Sequence, residues 1–301
     1  MQLLPHPKSV IVGTTLACKF FLCAALLLKS HLAISQDDNK IQRWLGESLA
    51  TNSNYFNTEV DKSSLSETKK RAFKDFYVAV FHNKKVVSTL TSILQRHGYE
   101  TRILELMRGT VSKPEDSLAT EEINRVIHEA ISRMGIIGRA RIDSDLQRSL
   151  IEFYLALLQK MPRHVCARSS SAGLSDPEIL EYVIMIDDKL FSRAFEALSV
   201  AIVSEAQASP DLKIPSDSVF RETFPLLMNA VKKRAMSRDD YTRISPFLDP
   251  PIVPPPEIAC EISKLYLEVV LEGFTSSREN SVIFWTALEA LNASGSLGQK
   301  R

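Results

Sequence analysis

The sequence predicts an all-α fold: a multi-helix globular domain of roughly ten helices after an N-terminal signal peptide. Beyond Gln36, apolar residues recur at spacings of three and four, the period of a helix face, and no stretch shows the two-residue alternation of a strand. Glycine, proline and N-capping residues separate these periodic stretches. Hydrophobic residues make up 45% and charged residues 24% of the 301 residues, which is ordinary for a globular protein.

The first 35 residues differ from the rest of the chain because they contain three lysines and no acidic residue. Their strongly apolar run, Phe20–Leu28, is too short to cross a bilayer but is typical of the core of a signal peptide. Ala33 and Ser35 then supply the two small residues of a cleavage site, and Gln36 is the predicted start of the mature chain. The sequence therefore predicts export to the periplasm or secretion.

The alternative is a signal anchor that stays in the membrane through residues 10–28. This stretch is just long enough to span a bilayer, but it contains Lys19 near its centre. A lysine there costs about 2.5–3.5 kcal/mol on insertion, which the apolar residues offset only narrowly. Cleavage is favoured over retention, and membrane association is expected only if the segment is retained.

In the N-terminal half, Ser64 and Glu67 predict a capping box at the start of a helix that ends at Phe81. A polar Asn/Ser stretch precedes it, and Gly135 is expected to end the most regular amphipathic helix. The helices predicted on this side of the chain cover about Lys40–Ala50, Ser64–Phe81, Lys84–His97, Glu100–Arg108 and Thr120–Met134.

Ser144–Met161 is apolar on nearly all sides, which predicts a central helix with Leu155 among its core residues. The polar residues after it are expected to form a loop, and Ser175-Asp-Pro-Glu178 then predicts a helix start. That helix is expected to reach Ala208, with a bend near Asp187-Asp188, and to be, with the central helix, the most buried of the chain. A proline-rich connector at 244–257 follows later. The remaining predicted helices are Phe220–Met236, Glu257–Leu271 and Ser277–Leu291.

The domain organisation follows from these elements. Residues 1–35 are the signal peptide or anchor, and residues 36–293 are the α-helical domain, either undivided or formed by two subdomains that meet near 163–175. Residues 294–301 are expected to be a flexible tail. Beyond residue 35 the acids outnumber the bases by two, so no long-range attraction to phosphate backbones exists and no nucleic-acid partner is expected.

The usual motifs of cofactor, nucleotide and metal enzymes are missing from the sequence, which has no Gly-rich phosphate loop, G-x-S-x-G, H-E-x-x-H or C-x-x-C. No cofactor and no metal site are therefore predicted. The one candidate for a catalytic residue is His164, close to Cys166 and three serines. A thiolate beside a histidine is a possible nucleophile, but a polar loop with a structural cysteine explains the same residues more simply.

The cysteines predict a disulfide. Cleavage of the signal peptide would remove Cys18 and Cys23 and leave Cys166 and Cys260 in an oxidising compartment. Cys166 is expected in the loop after the central helix and Cys260 in the first turn of a later helix. Two separate buried thiols are the alternative, because sequence alone cannot place two Cα atoms at bonding distance.

The functional expectation follows from the export signal and from the missing catalytic motifs. The chain is expected to be an exported α-helical protein that binds a protein partner in the cell envelope. One alternative is an envelope hydrolase or transferase whose active-site residues are brought together only by the fold. The other is a helical carrier that holds an apolar ligand between its aromatic side chains, although aromatic residues at helical spacing are usually core residues.

Overall fold

The computed structural model describes residues 40–96, 115–171, 176–248 and 253–295. The predicted signal segment, its cleavage site and the helix Glu100–Arg108 lie outside these ranges. The described residues form helices and no strand, so the all-α prediction is confirmed for them. A short 3₁₀ turn, Ser245–Phe247, accompanies the α-helices, which are α1 (Lys40–Lys62), α2 (Glu67–Phe81), α3 (Lys84–Arg96), α4 (Glu115–Gly138), α5 (Ser144–Lys160), α6 (Arg163–Ser171), α7 (Asp176–Val183), α8 (Asp188–Gln207), α9 (Asp217–Met236), α10 (Tyr241–Ile244), α11 (Pro256–Glu272) and α12 (Arg278–Ser294).

Helix α1 is longer than predicted because it continues through the polar Asn/Ser stretch to Lys62. Phe56 and Val60 in that extension are buried, and the Phe56 ring stacks on the Tyr77 ring of α2 with centroids 4.6 Å apart. The Tyr77 hydroxyl donates to the carbonyl of Leu49 at 2.8 Å. Tertiary packing against α2 thus stabilises a helix that its own polar residues do not favour.

Helix α2 begins two residues later than the predicted capping box at Ser64. The structure places the N-cap at Ser66, whose hydroxyl accepts a hydrogen bond from the backbone N–H of Lys69, and not at Ser64. Glu67 is the first helical residue and lies where a negative charge complements the helix dipole. The predicted end at Phe81 is confirmed.

Helix α4 does not end at Gly135 as predicted but continues to Gly138. At Gly138 the helix lies against α8 so closely that a Cβ atom would overlap the carbonyl of Ala201. A glycine is needed here for close approach of two backbones and not as a helix terminator. This contact sets the spacing between α4 and α8.

The residues after the central helix form α6 and not the predicted loop. The backbone N–H groups of Val165 and Cys166 bond to the carbonyl of Pro162 at 3.0 and 2.9 Å, which closes the first turn. Val165, Cys166 and Ala167 are buried, and α6 packs on α11. Pro162 lies between α5 and α6. Its lack of an N–H costs nothing at a helix start, where the first N–H groups have no partner within the helix.

The single helix predicted from Ser175 to Ala208 is wrong, because the chain does not merely bend near Asp187-Asp188 but forms two separate helices, α7 and α8. Asp187 is the N-cap of α8, and its carboxylate accepts from the backbone N–H groups of Lys189 and Leu190. The predicted start after Ser175 and the start at Pro256 are reproduced to within a residue or two, and Ser277 caps the last helix.

The core is one contiguous hydrophobic cluster that extends from α1 to α12. Helix α8 lies in its middle and packs on α2, α4 and α5, while α11 and α12 close the other side against α5. Helices α5 and α8 are strongly buried, but the prediction that they are the most buried is wrong, because α11 and α12 are as deeply buried. Leu155 is only half-buried, whereas Leu157 and Leu158 are core residues. The division into two subdomains near 163–175 stays a prediction.

Candidate binding groove

A groove of about 590 Å³ lies on the surface where α3, α4 and α8 meet, and we call it the α3–α4 groove. It is larger than two other depressions of about 530 and 340 Å³, at the α1–α2–α3 junction and between the first turns of α5 and α8. Among the described residues, those that line the α3–α4 groove are Thr89, Ile93, Arg96, Val126, Glu129, Ala130, Arg133, Met134, Ile137 and Glu205.

The groove follows from the helical period of its two main helices. Thr89, Ile93 and Arg96 lie at spacings of three and four along α3, beside the face that buries Val86, Leu90 and Leu94. On α4, the lining residues recur at the same spacing from Val126 to Ile137. Because residues three and four apart share a face, each helix presents one continuous stripe to the groove.

The floor of the groove is apolar. Val126, Ala130 and Met134 are buried, while Ile93 and Ile137 are half-buried and lie closer to solvent. Aliphatic side chains of this kind offer a surface that gains free energy when a partner covers it, at about 25 cal/mol per Å² of apolar area. The described lining contains no aromatic side chain.

The rim of the groove is charged, and its acids and bases differ in their partners. Glu129 pairs with Arg125 at 2.8 Å, and Glu205 pairs with Arg141 at 2.8 Å. Arg141 also donates to the carbonyl of Pro210 at 2.6 Å, which holds it beside α8. The acidic groups of the rim are therefore balanced by arginines of the same chain.

Two exposed arginines complete the rim. Arg96 donates to the carbonyl of Ser92 on its own helix at 3.3 Å, and Arg133 lies on the exposed side of α4. No ion pair joins either guanidinium to an acid within the part of the chain that the structure describes. The groove therefore presents uncompensated positive charge beside an apolar floor.

A second unusual arrangement lies inside the protein, and we call Arg139, Gln147, Trp285 and Glu289 the polar cluster. The Arg139 guanidinium lies 2.9 Å from the Glu289 carboxylate, and the two side chains are only 2% and 7% exposed. Burial raises the pKa of Glu289, although Arg139 and the indole of Trp285 act in the opposite direction. The Gln147 amide donates to the carbonyls of Arg139 and Ile142 at 2.8 and 3.1 Å.

The polar cluster is incompletely hydrogen-bonded. Among the described residues, Arg139 Nη2, Gln147 Oε1, Trp285 Nε1 and Glu289 Oε2 are buried without a hydrogen bond of good geometry. The Arg139 guanidinium also lies over the Tyr154 ring at 5.7 Å, which contributes a cation–π contact. None of the four residues of the polar cluster is among the described residues that line the α3–α4 groove. The cluster holds α12 against the end of α4.

The aromatic residues predicted to be mostly core are core residues. Phe73, Phe153, Phe191 and Phe195 are buried and pack on one another, with the Phe191 and Phe195 centroids 4.1 Å apart. Phe73 contacts Phe195 at 4.7 Å, and Phe153 contacts Phe191 at 6.0 Å. These rings fill the space between their helices, so they do not line any of the three depressions described above.

The predicted site residues lie on α6 and α11. His164, the weak candidate for a catalytic residue, is exposed near the start of α6, outside the lining of the three depressions. Cys166 and Cys260 are fully buried at disulfide-bonding distance, with their Cα atoms 5.9 Å apart. The distance required by the disulfide prediction is therefore met, although Cys166 lies in a helix and not in a loop.

The α3–α4 groove was not predicted from the sequence, although the amphipathic pattern of α4 was. Val126, Ala130 and Met134 belong to that stripe, and the structure buries them. The charged residues at the same helical spacing, Glu129 and Arg133, mark the stripe's edge as accessible. An apolar stripe with charged residues at its edge, on both α3 and α4, was the sequence pattern that could have indicated the groove.

No described helix combines the length and apolar character needed to cross a bilayer. Within the described ranges, no three His, Cys, Asp or Glu side chains gather as metal ligands would. The chain matches no protein-family model, and no curated protein or solved structure is significantly similar to it.

Proposed function

We propose that this chain is an exported α-helical protein, periplasmic or secreted, that binds a protein partner of the cell envelope through the α3–α4 groove. The observation that carries the proposal is the apolar floor beside the rim arginines Arg96 and Arg133, which form no ion pair with an acid of the described residues. Apolar surface bordered by polar groups is the usual composition of a protein–protein contact.

The two alternatives receive less support. An enzyme would need a nucleophile or an acid–base pair in a cleft, and the candidate residue His164 is exposed on α6, away from the three depressions. A carrier of an apolar ligand would need a cavity between aromatic rings, and the phenylalanines of the core contact one another instead.

Export is supported by the signal-like segment and by the cysteine pair. Two cysteines at disulfide distance fit an oxidising compartment. N-terminal sequencing of the protein isolated from the medium or the periplasm should give Gln36 as the first residue, because Ala33 and Ser35 form the predicted cleavage site. A protein that still begins before Phe20 and remains with membranes would establish the signal anchor at residues 10–28.

Binding is tested by photo-crosslinking to envelope proteins with matched variants. Ile93→Asp combined with Ile137→Asp places two charges at the half-buried edge of the floor, whereas Leu226→Asp changes an exposed apolar residue on α9. The natural chain and the Leu226→Asp variant should crosslink to the same protein. The groove variant should give at least tenfold less of that crosslinked product than the natural chain. Circular dichroism and thermal unfolding confirm that each variant is folded.

The same experiment distinguishes the competing proposals. Loss of the crosslink in Leu226→Asp, with retention in the groove variant, would show that the binding surface lies on α9 and not at the groove. A small apolar molecule that copurifies with the natural chain and is displaced by the groove substitutions would establish the carrier. Hydrolysis or group transfer that depends on His164 and not on the groove would establish the enzyme.

A further inference from the structure

We infer that the partner segment bound by the α3–α4 groove is an acidic amphipathic helix, whose apolar side chains cover the floor and whose carboxylates meet Arg96 and Arg133. The inference depends on the proposed function, since it names the chemistry of the partner at the same groove. It follows from the length of the floor, from its side chains and from the charges on its rim.

The length of the floor suits a short helix. Its α4 residues extend from Val126 to Ile137, and eleven residues of helix rise about 16 Å. A partner helix of three turns has the same length and projects apolar side chains at positions i, i+3, i+4 and i+7. Two or three aliphatic side chains of this kind can be accommodated in a groove of about 590 Å³.

The side chains of the groove argue against the other common ways in which a protein binds a peptide. Extended proline-rich segments are bound between aromatic side chains, and the described lining contains none. A segment that adds a strand needs an exposed sheet edge, and the described residues form no strand. An aliphatic groove between two helices is the surface used by helix-in-groove recognition.

The charges select the sign of the partner. Glu129 and Glu205 are already paired with Arg125 and Arg141, so a basic partner would have to displace those arginines. Arg96 and Arg133 are exposed and form no ion pair with the described acids. A partner with carboxylates beside its apolar face therefore gains attraction, and one with lysines there meets repulsion.

The test uses labelled peptides of about 14 residues, long enough for three to four helical turns. The first carries Leu at i, i+3, i+4 and i+7 with Glu on the flanking positions. The second has Lys in place of each Glu, and the third has the composition of the first in scrambled order. Binding to the full mature chain is measured by fluorescence anisotropy at low and at physiological salt.

The acidic peptide should bind at least tenfold more tightly than either control, and its affinity should fall as salt rises. Arg96→Glu combined with Arg133→Glu should reverse the preference toward the Lys peptide. The matched control, Arg221→Glu combined with Arg278→Glu, changes two exposed arginines on α9 and α12 and should leave it unchanged.

Equal binding of the acidic and basic peptides, or an unchanged preference in the groove variant, would overturn the inference. Failure of all three peptides would also overturn it, and a second copy of the chain or its own residues 97–114 would then be the occupant to examine by sedimentation and crosslinking. The proposed function is judged separately, because the crosslink to the natural partner either depends on Ile93 and Ile137 or does not.

Discussion

Two regions of the core are buried to the same degree but differ in their chemistry. The aromatic cluster, formed by Phe73, Phe153, Phe191 and Phe195, joins α2, α5 and α8 through ring contacts alone. The polar cluster joins the end of α4 to α5 and α12 through a buried ion pair and amide hydrogen bonds. Burial of the aromatic rings stabilises the fold directly, whereas each group of the polar cluster must first lose its hydration.

The two clusters differ less in how much they stabilise the fold than in how strictly they fix the relative position of the helices. Aromatic and aliphatic side chains tolerate several packings of similar energy, but Arg139 can form its ion pair with Glu289 only when α12 lies in one position relative to α4. A buried ion pair contributes little net stability, yet removing one partner costs much more than removing both. The following substitutions separate these roles.

Phe191→Ala should have the largest effect. The ring is fully buried and stacks on Phe195, so its removal leaves a cavity that the surrounding helices cannot fill. We expect the free energy of unfolding to fall by about 5 kcal/mol, at the upper end of the range for a buried phenylalanine. Urea unfolding followed by circular dichroism measures it. A loss below about 1 kcal/mol, as for a surface residue, would show that the aromatic cluster is not a core.

Glu289→Leu should destabilise the protein by about 3–5 kcal/mol, because it leaves the Arg139 guanidinium buried without an opposite charge. The double variant Arg139→Met with Glu289→Leu should recover most of that loss, since neither charge then needs solvation. Urea unfolding of the two single variants and the double variant gives the coupling energy. Additive losses would contradict the assignment of the pair as mutually dependent.

Replacing both Cys166 and Cys260 with Ala should lower the free energy of unfolding by about 2–4 kcal/mol, the usual contribution of a disulfide. The predicted bridge would join residues 94 positions apart, so it restricts a long loop of the unfolded chain. The unfolding midpoint of the natural chain should fall in reductant, and that of the variant should not change. Two alkylatable thiols in unfolded, unreduced protein would rule out the bridge.

The smallest effect is expected at the edge of the aromatic cluster, where the buried Lys69 pairs with Asp188 at 3.0 Å. Hydrogen bonds from Lys69 and Ser66 hold the pKa of Asp188 below its ordinary value. The unfolded state therefore binds more protons in acid, and the stability contributed by this carboxylate is present near neutral pH and is lost as pH falls through the ordinary value and below.

Asp188→Asn should consequently be slightly less stable than the natural chain at pH 7, and the difference should shrink toward pH 3. Unfolding midpoints measured between these two values test it, with the exposed Asp239→Asn as the matched control. A difference that grows in acid would contradict the proposed direction of the pKa.

Local sequence signals identified much of the fold. The apolar period located α2, α5 and α12, and Ser277 marked the start of α12, whereas the start of α8 at Asp187-Asp188 was taken only for a bend. Such signals depend on residues within one or two helical turns, so helix starts can be predicted from the local sequence. The proximity of Cys166 to Cys260 was also predictable, because few cysteines were available, although the helix that holds Cys166 was not.

The α3–α4 groove was much less predictable. The stripe on α4 identified Val126 and Met134 as apolar, but it did not show that α3 would lie beside them and leave Ile93 and Ile137 half-buried. The charges on the rim were visible as residue types, and their partners were not. Glu205 and Arg141 are distant in sequence, and only the packing of α4 on α8 brings them together.

The helical character of the chain, the start of most helices and their apolar faces can be read from the sequence, because a helix forms from hydrogen bonds and side-chain contacts within a few residues. Which of these faces meet depends on the tertiary structure. It required glycine at position 138, extended α1 through polar residues, buried Arg139 beside Glu289 and opened a groove between α3 and α4. Those outcomes depend on contacts between residues far apart in the chain, which a local period does not encode.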